Sequence, residues 1–134
     1  MPTKIANPVN LFVSYSQSDT DWTIAFVREL SKRHLFPWFA ETEVKIGDSL
    51  TKAIDEGLRS SDAYILILNA DNASSSNLFF ELGAAVAMKK RIIPIIDPEL
   101  DTSQLPVPLL HYRFLRRTSP EETAELVARA VSPG

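Results

Sequence analysis

The chain has 134 residues, a formal net charge of −3, no cysteine, 45% hydrophobic residues and 23% charged residues. This composition is typical of one globular domain, and its weak negative charge gives no electrostatic reason to expect a nucleic acid or an anionic membrane as partner. Without cysteine there is no disulfide, no thiolate nucleophile and no cysteine-ligated zinc. No apolar run approaches the roughly 18–20 residues that span a bilayer, so we expect a soluble cytoplasmic domain.

The first quarter of the chain predicts two strands with a helix between them. Val9–Tyr15 is rich in β-branched and aromatic residues, which predicts a buried strand. The helix should begin near Asp19 or Asp21, acidic residues suited to its cap and first turn, and stop before Pro37. Trp38–Ala40 then predicts a brief second strand.

The rest of the chain continues the alternation of apolar runs and amphipathic segments. Asp48 is the expected cap of the second helix. Pro94 inside an apolar run favours a strand near the margin of the sheet or a local irregularity. The predicted elements are a helix marked by Leu50, Ile54 and Leu58, a strand at Asp62–Leu68, a helix at Asn77–Lys89, a strand at Arg91–Ile96, an extended loop at Asp97–Pro108, a strand at Tyr112–Leu115 and a helix at Pro120–Val131.

Repeated strand–helix alternation predicts an α/β fold with helices on both faces of a parallel sheet. We expect the flavodoxin-like, three-layer α/β/α arrangement with five strands in the order 2-1-3-4-5. Ligands of such sheets bind beyond the carboxyl ends of the strands. Polar segments follow the first three predicted strands at residues 14–19, 41–48 and 69–76, and any site should gather there. Ser132–Gly134 is typical of a linker, so residues 1–134 are expected to be one module of a longer protein.

The residues present argue against several classes of site. The four glycines form neither a dinucleotide-binding fingerprint nor a phosphate-binding loop, and no Gly-x-Ser-x-Gly motif is present. His34 and His111 are isolated from each other and from any acidic cluster, so each is expected at the surface or a helix end, and no metal site is expected. A phospho-receiver domain would need paired acids after the first strand, where this chain has Ser16–Ser18.

The predicted helix Asn77–Lys89 carries one carboxylate, Glu81, at the edge of its apolar stripe. Glu81 has no Lys or Arg three or four residues away to pair with. Partial burial there would raise its pKa and suit an acid, a base or a cation-stabilising group. The same spacing fits a glutamate that merely reaches solvent at the core margin. The stripe expected to pack on the sheet contains Leu78, Leu82, Ala85 and Val86. The slim segment Gly83–Ala85 permits close approach of a ligand but favours close packing on the sheet.

Several segments match one known family in order and at the right spacing. They are Leu11–Ser16 at the end of the first strand, Ser18–Asp19 with Trp22, Trp38–Ala40, Ile46–Leu50, Ser60–Leu68, Ser75 with Glu81–Leu82, and Arg91–Ile96. Over nearly the whole chain, this series resembles the Toll/interleukin-1 receptor (TIR) domain family, in its bacterial NAD-cleaving branch.

The resemblance implies a choice between two functions. Many bacterial, plant and axonal TIR domains cleave NAD+ at the nicotinamide–ribose bond with a helix glutamate that aligns with Glu81. Others are non-enzymatic scaffolds for homotypic signalling. For an enzyme, the resemblance implies NAD+ as substrate, no cofactor and no metal. It implies Glu81 as the catalytic residue and a substrate-binding set of Tyr15, Ser16, Trp38, Asn77 and Phe80.

The resemblance also implies assembly and a biological setting. The segment called the BB loop in this family packs on a neighbouring TIR domain in relatives, which implies a homo-oligomer or filament. A fused sensor domain and a role in antiphage or immune defence follow from the same resemblance. The assembly residues implied here are Glu43, Val44, Lys45, Ile46 and Gly47.

Two positions depart from the enzymatic pattern. Asn77 stands four residues before the glutamate, where enzymatic relatives often carry Trp, and Ala40 replaces an Asp after the second strand. Nucleoside deoxyribosyltransferases, a third class, also place a glutamate in a Phe-Glu-Leu-Gly-like helix. The pair Ser14–Tyr15 and the glycine Gly47 favour the TIR family over that class.

Overall fold

One parallel sheet of five strands forms the centre of the protein. The computed structural model describes residues 9–39, 50–73, 76–105, 109 and 112–131, without the side chains of residues 39, 50–54, 76, 77 and 80. The strands are β1 (Val9–Ser14), β2 (Leu35–Phe39), β3 (Ala63–Leu68), β4 (Arg91–Ile96) and β5 (Leu115–Arg116). Their order is β2-β1-β3-β4-β5 and every described pairing is parallel, which confirms the predicted topology.

Within the described residues, four α-helices cover the two faces of the sheet. They are α1 (Thr20–Lys32), α2 (Leu50–Arg59), α3 (Ser76–Ala87) and α4 (Pro120–Val131). On one face, α1 and α4 bury Phe26, Leu30, Ala124 and Val127 against the sheet. On the other, α2 and α3 bury Leu58, Leu78, Leu82 and Ala85. None of the described helices is long and apolar enough to cross a membrane.

Because side chains alternate along β1, this strand contributes residues to the hydrophobic cores on both faces of the sheet. Leu11 and Val13 belong to the core under α1 and α4, whereas Phe12 belongs to the core under α2 and α3. Because successive side chains of a strand point to opposite faces, Ser14 lies on the same face as Phe12. The strand β3 is buried at all six positions, as its nearly continuous apolar sequence predicts.

Several boundaries differ from the expectations. The second strand begins at Leu35 and includes Pro37, which is tolerated because β2 is an edge strand and one missing N–H there breaks no inner ladder. The fifth strand lies at Leu115–Arg116 and not at Tyr112–Leu115. A short 3-10 helix, Thr102–Gln104, interrupts the segment that was expected to be an extended loop.

The predicted positions of Pro94 and His34 agree with the structure, whereas several other predicted features lie outside the described residues. The marginal position expected from Pro94 is confirmed, since β4 is next to the edge and the two-residue β5 pairs only with Ile95 and Ile96. His34 is exposed and follows Arg33, the residue that caps α1, as expected of a histidine near a helix end. The predictions for Ala40, Asp48, His111 and residues 132–134 concern positions outside the described residues.

The left-handed backbone conformation of His34, after α1, can be tested by substitution. Its φ is 64°, and its N–H donates to the Ser31 carbonyl at 3.1 Å. A left-handed backbone costs a residue with a Cβ roughly 1–2 kcal/mol, and glycine avoids that cost at an entropic penalty of about 0.5–1 kcal/mol. We expect His34→Gly to raise the free energy of unfolding by about 0.5 kcal/mol in urea denaturation. Ser31→Gly, inside the regular helix, should lower it, and equal losses in both variants would contradict this account.

Candidate active site

Glu81 lies on the inner face of α3 and is only 6% exposed. Its carboxylate meets two strands of the sheet. The Ser14 hydroxyl of β1 donates to Oε1 at 3.5 Å, and the Tyr64 hydroxyl of β3 donates to Oε2 at 3.1 Å. The interpretation of Glu81 as a residue that merely reaches solvent at the core margin is therefore wrong.

The helix α3 is rotated slightly from the orientation that its apolar stripe predicts. Leu78, Leu82 and Ala85 are buried as expected, but Val86 is 45% exposed. Gly83 is also exposed, and a Cβ built on it would have no atom within 4 Å, so this glycine does not serve close packing on the sheet. With Val86 turned outward, the buried face of α3 centres on Leu82 and includes the carboxylate of Glu81.

The strand register explains why Ser14 and Tyr64 converge on this carboxylate. Phe12 pairs with Tyr64 and Ser14 pairs with Leu66 in the parallel β1–β3 ladder. The two rings of the first pair meet edge to face, with centroids 5.4 Å apart. Ser14 comes two residues after Phe12 and therefore shares its face. The Tyr64 side chain is long enough to bring its hydroxyl to the same carboxylate.

Burial dominates the electrostatics of this group. It raises the pKa of Glu81 above the ordinary value, while hydrogen bonds from Ser14 and Tyr64 stabilise the carboxylate and act in the opposite direction. None of the ion pairs among the described residues includes Glu81. Burial, reinforced by the neighbouring carboxylate, also raises the pKa of Tyr64 well above its ordinary value, so Tyr64 stays protonated and donates.

An aromatic pair extends the site toward the edge of the sheet. Trp38 of β2 is partly buried on the same face as Glu81, and its ring centroid lies 4.8 Å from that of Phe12. Gly57 of α2 lies directly against these rings. A Cβ at Gly57 would come within 2.7 Å of the Trp38 ring and 2.9 Å of the Phe12 ring. The absence of a side chain at Gly57 therefore lets α2 approach the sheet and fixes the position of Trp38.

Polar side chains join the carboxyl ends of β1 and β3, as the sequence predicts for these two segments. The Ser16 and Ser18 hydroxyls are 2.7 Å apart, and the Asn69 amide donates to them at 3.3 and 2.9 Å. Ser18 also donates to Asp71 at 2.8 Å. Ser16, one of the expected substrate-binding residues, is thus held by hydrogen bonds from the loop that follows β3.

A partly buried ion pair beside this cluster was not predicted. Asp19, expected to cap α1, makes no side-chain capping bond and accepts from Arg117 at 2.6 Å and from Asn69 at 2.8 Å. Arg117 also pairs with Asp97 at 3.3 Å and lies over the Trp22 ring, 5.0 Å from its centroid. The partners are too far apart in sequence for spacing to signal the contact.

The other residues of the predicted substrate-binding and assembly sets do not all lie near Glu81, and some lie outside the described residues. Tyr15 packs against the core under α1 and α4, on the face of the sheet opposite to Glu81. The side chains of Asn77 and Phe80, and the whole segment Glu43–Gly47, lie outside the described residues. The substrate-binding and assembly roles of these residues therefore stay predictions, as does that of Trp38.

Sequence comparison decides the family. A sequence model of the TIR domain matches residues 11–130. The chain belongs to the TIR domain family. This match also separates the chain from the nucleoside deoxyribosyltransferases, the third class that the sequence left open.

Two bacterial relatives of this TIR domain are named as enzymes. The chain is 33% identical over 99 residues to the 2′ cyclic ADP-D-ribose synthase BtTIR of Bacteroides thetaiotaomicron, covering 70% of this chain and 33% of that protein. It is 32% identical over 91 residues to the 2′ cyclic ADP-D-ribose synthase AbTIR of Acinetobacter baumannii, covering 64% and 34%. The chain thus spans about one third of the length of these relatives.

A solved structure shows the same fold at lower identity. The TIR-STING receptor from C. gigas, solved in complex with 2′,3′-cGAMP, superposes with a TM-score of 0.77 at 19% identity, over 92% of this chain and 39% of the receptor. This likeness supports the architecture of the TIR domain.

The contact between Gly57 and the aromatic pair predicts opposite outcomes for two glycines. Gly57→Ala should lower the free energy of unfolding by roughly 1–3 kcal/mol because the Trp38 and Phe12 rings must shift. Gly83→Ala places a methyl in open space on α3 and should raise it by up to about 1 kcal/mol through helix propensity. Chemical denaturation measures both, and a neutral Gly57→Ala would show that α2 does not press on Trp38.

The buried carboxylate predicts a stability that depends on pH. Because the folded-state pKa of Glu81 is raised, its charged form destabilises the fold, and stability is lost as pH rises from the ordinary value of 4.5 through the raised pKa. We expect Glu81→Gln to be more stable than the parent at neutral pH, by about 1 kcal/mol, and to lose this advantage in acid. Thermal melts across pH measure this, with Glu122→Gln on the exposed side of α4 as control. An advantage independent of pH would refute the account.

Proposed function

We propose that this TIR domain cleaves the bond between nicotinamide and ribose in NAD+, with Glu81 as the catalytic residue. The observation that carries the proposal is a buried carboxylate on α3 that receives two hydroxyl hydrogen bonds and forms no described ion pair. Such a carboxylate keeps its charge available for a cation that arrives with the substrate. The similarity to two bacterial proteins named 2′ cyclic ADP-D-ribose synthases supports the same chemistry.

Cleavage of the nicotinamide–ribose bond needs little acid catalysis. The nicotinamide of NAD+ is already cationic, so it departs as a neutral base when the bond to the ribose carbon breaks and takes the bonding electron pair. Positive charge then develops on the ribose, as in the oxocarbenium-like transition state of glycoside hydrolysis. A fixed negative charge in a site of low dielectric stabilises that transition state far more than it would in water. We propose that Glu81 supplies this charge.

The second half of the reaction determines the product. Attack by water on the ribosyl carbon gives ADP-ribose and releases a proton, whereas attack by an acceptor within the same molecule gives a cyclic isomer. Trp38 is proposed to flank the nicotinamide, since it lies on the same face as Glu81 and is partly exposed beside Phe12. Ser16, Tyr15, Asn77 and Phe80 complete the proposed substrate-binding set.

The assembly and the setting of this activity are proposals drawn from the family. We propose that Glu43–Gly47 packs on a neighbouring TIR domain, so that self-association into an oligomer or filament activates the enzyme. A fused sensor domain would control that association in the cytoplasm, during antiphage or immune defence. The competing proposal is a scaffold that associates through the same segment and turns over no substrate.

Nicotinamide release from NAD+ separates the two proposals. The purified domain is assayed at high protein concentration and with a crowding agent, since the activity is proposed to need assembly. We expect Glu81→Ala to lose at least about a hundredfold in kcat, the usual effect of removing one preorganised electrostatic group. Glu122→Ala, which removes an exposed glutamate from α4, should retain parental activity.

Three results would contradict parts of this proposal. If the assembled parent releases no nicotinamide, the scaffold is supported and the proposed activity is lost. If the parent is active and Glu81→Ala is equally active, the carboxylate is not the catalytic residue. Cleavage of deoxynucleosides with no cleavage of NAD+ would show that the substrate class is wrong.

A further inference from the structure

The contacts of Glu81 single out a second residue for the same site, one that the sequence does not signal. We propose that Tyr64 is the positioning residue of Glu81: it holds Oε2 inside the core and thereby presents Oε1, at the end of β1, to the ribose. This inference rests on the proposed function, because it assigns the way in which the Glu81 carboxylate meets its substrate.

The burial of Tyr64 shows that it acts through Glu81 and not on the substrate. Tyr64 has no exposed surface, and its ring is fixed by the edge-to-face contact with Phe12. Its hydroxyl donates to Oε2 at 3.1 Å from within the core. Since Tyr64 stays protonated, this donation persists over any working pH and defines one orientation of the carboxylate.

The other carboxylate oxygen is held more loosely. Ser14 is the last residue of β1 and is partly exposed, and its contact with Oε1 is 3.5 Å, at the long limit for a hydrogen bond. An ionised carboxylate offers about four lone-pair sites, so Oε1 retains room for a further donor. We therefore expect a ribose hydroxyl that approaches from the end of β1 to bind Oε1, the oxygen with the longer and less buried contact, and not Oε2.

The protonation of Glu81 depends on the same contacts. Among the described residues, the polar groups that face its carboxylate are the Ser14 hydroxyl from β1 and the Tyr64 hydroxyl from β3, and no described ion pair includes it. Both hydroxyls favour the charged form against the effect of burial. Removing the Tyr64 hydroxyl must therefore raise the pKa of Glu81.

The substitution Tyr64→Phe tests the assignment in two ways. In the NAD+ assay, kcat should fall roughly ten- to hundredfold, the effect of misplacing a reacting group by a fraction of an ångström to about 1 Å. KM should change little, and the acid limb of the pH profile should move to higher pH. In a carbon-detected NMR titration, the pKa of the Glu81 carboxyl should rise in the same variant, with no need for activity.

A matched control is available in the same core. Tyr112 is partly buried and packs against the cluster that contains Tyr64. Tyr112→Phe removes the same hydroxyl from the same layer and should leave both the pKa of Glu81 and kcat unchanged. If Tyr64→Phe does not fold, 3-fluorotyrosine incorporated at position 64 keeps the ring, makes the hydroxyl a stronger donor and should lower the pKa of Glu81.

The outcomes separate this inference from the proposed function. A folded Tyr64→Phe protein with parental kcat, pH profile and Glu81 pKa would overturn the inference and leave NAD+ cleavage standing. An inactive parent in which Tyr64→Phe raises the pKa of Glu81 would refute the proposed activity while the carboxylate–tyrosine contact holds. An unchanged pKa of Glu81 with 3-fluorotyrosine at position 64 would likewise overturn the inference.

Discussion

The burial of the Glu81 carboxylate between α3 and the sheet is the constraint on which the rest of the site depends. A charged group removed from water is costly unless hydrogen bonds replace its hydration, and here the replacements come from one residue on β1 and one on β3. Burial raises the pKa of this group and the two hydroxyls limit that rise. The protein thus holds a carboxylate that is unfavourable for stability and suited to a cationic transition state, a combination typical of functional sites.

The fold supplies this arrangement through strand register. Parallel pairing places Phe12 beside Tyr64, and the alternation along β1 then directs Ser14 to the face that α3 covers. Close approach of α2, which Gly57 permits, holds the Trp38 ring against Phe12. A continuous row of contacts therefore runs from Trp38 at the sheet edge through Phe12 and Tyr64 to the carboxylate of Glu81. A shift in any of these packed elements would move the others.

A second set of contacts secures the loops at the carboxyl ends of the strands. Arg117, just after β5, reaches across to Asp19, which precedes α1, and Asn69 after β3 joins Asp19 to the serines after β1. Because Asp19 is nearly buried, its charge needs both partners. This network fixes the end of the sheet where ligands of parallel α/β folds bind, and it gives Ser16 a defined position two residues after Ser14.

The sequence by itself determined the order of elements, the parallel sheet and the TIR family, and it singled out Glu81 as the candidate catalytic residue, because periodicity and ordered motifs are local properties that survive without contacts. It also placed β4 and α4 at their observed bounds. Only the tertiary structure decided that Glu81 is buried, that Val86 and Gly83 face outward, and that Tyr64 and not Tyr15 faces the carboxylate. The physical reason is that rotation of a helix on a sheet, strand register and pairing across many residues depend on packing between segments. Spacing along one segment carries no record of that packing.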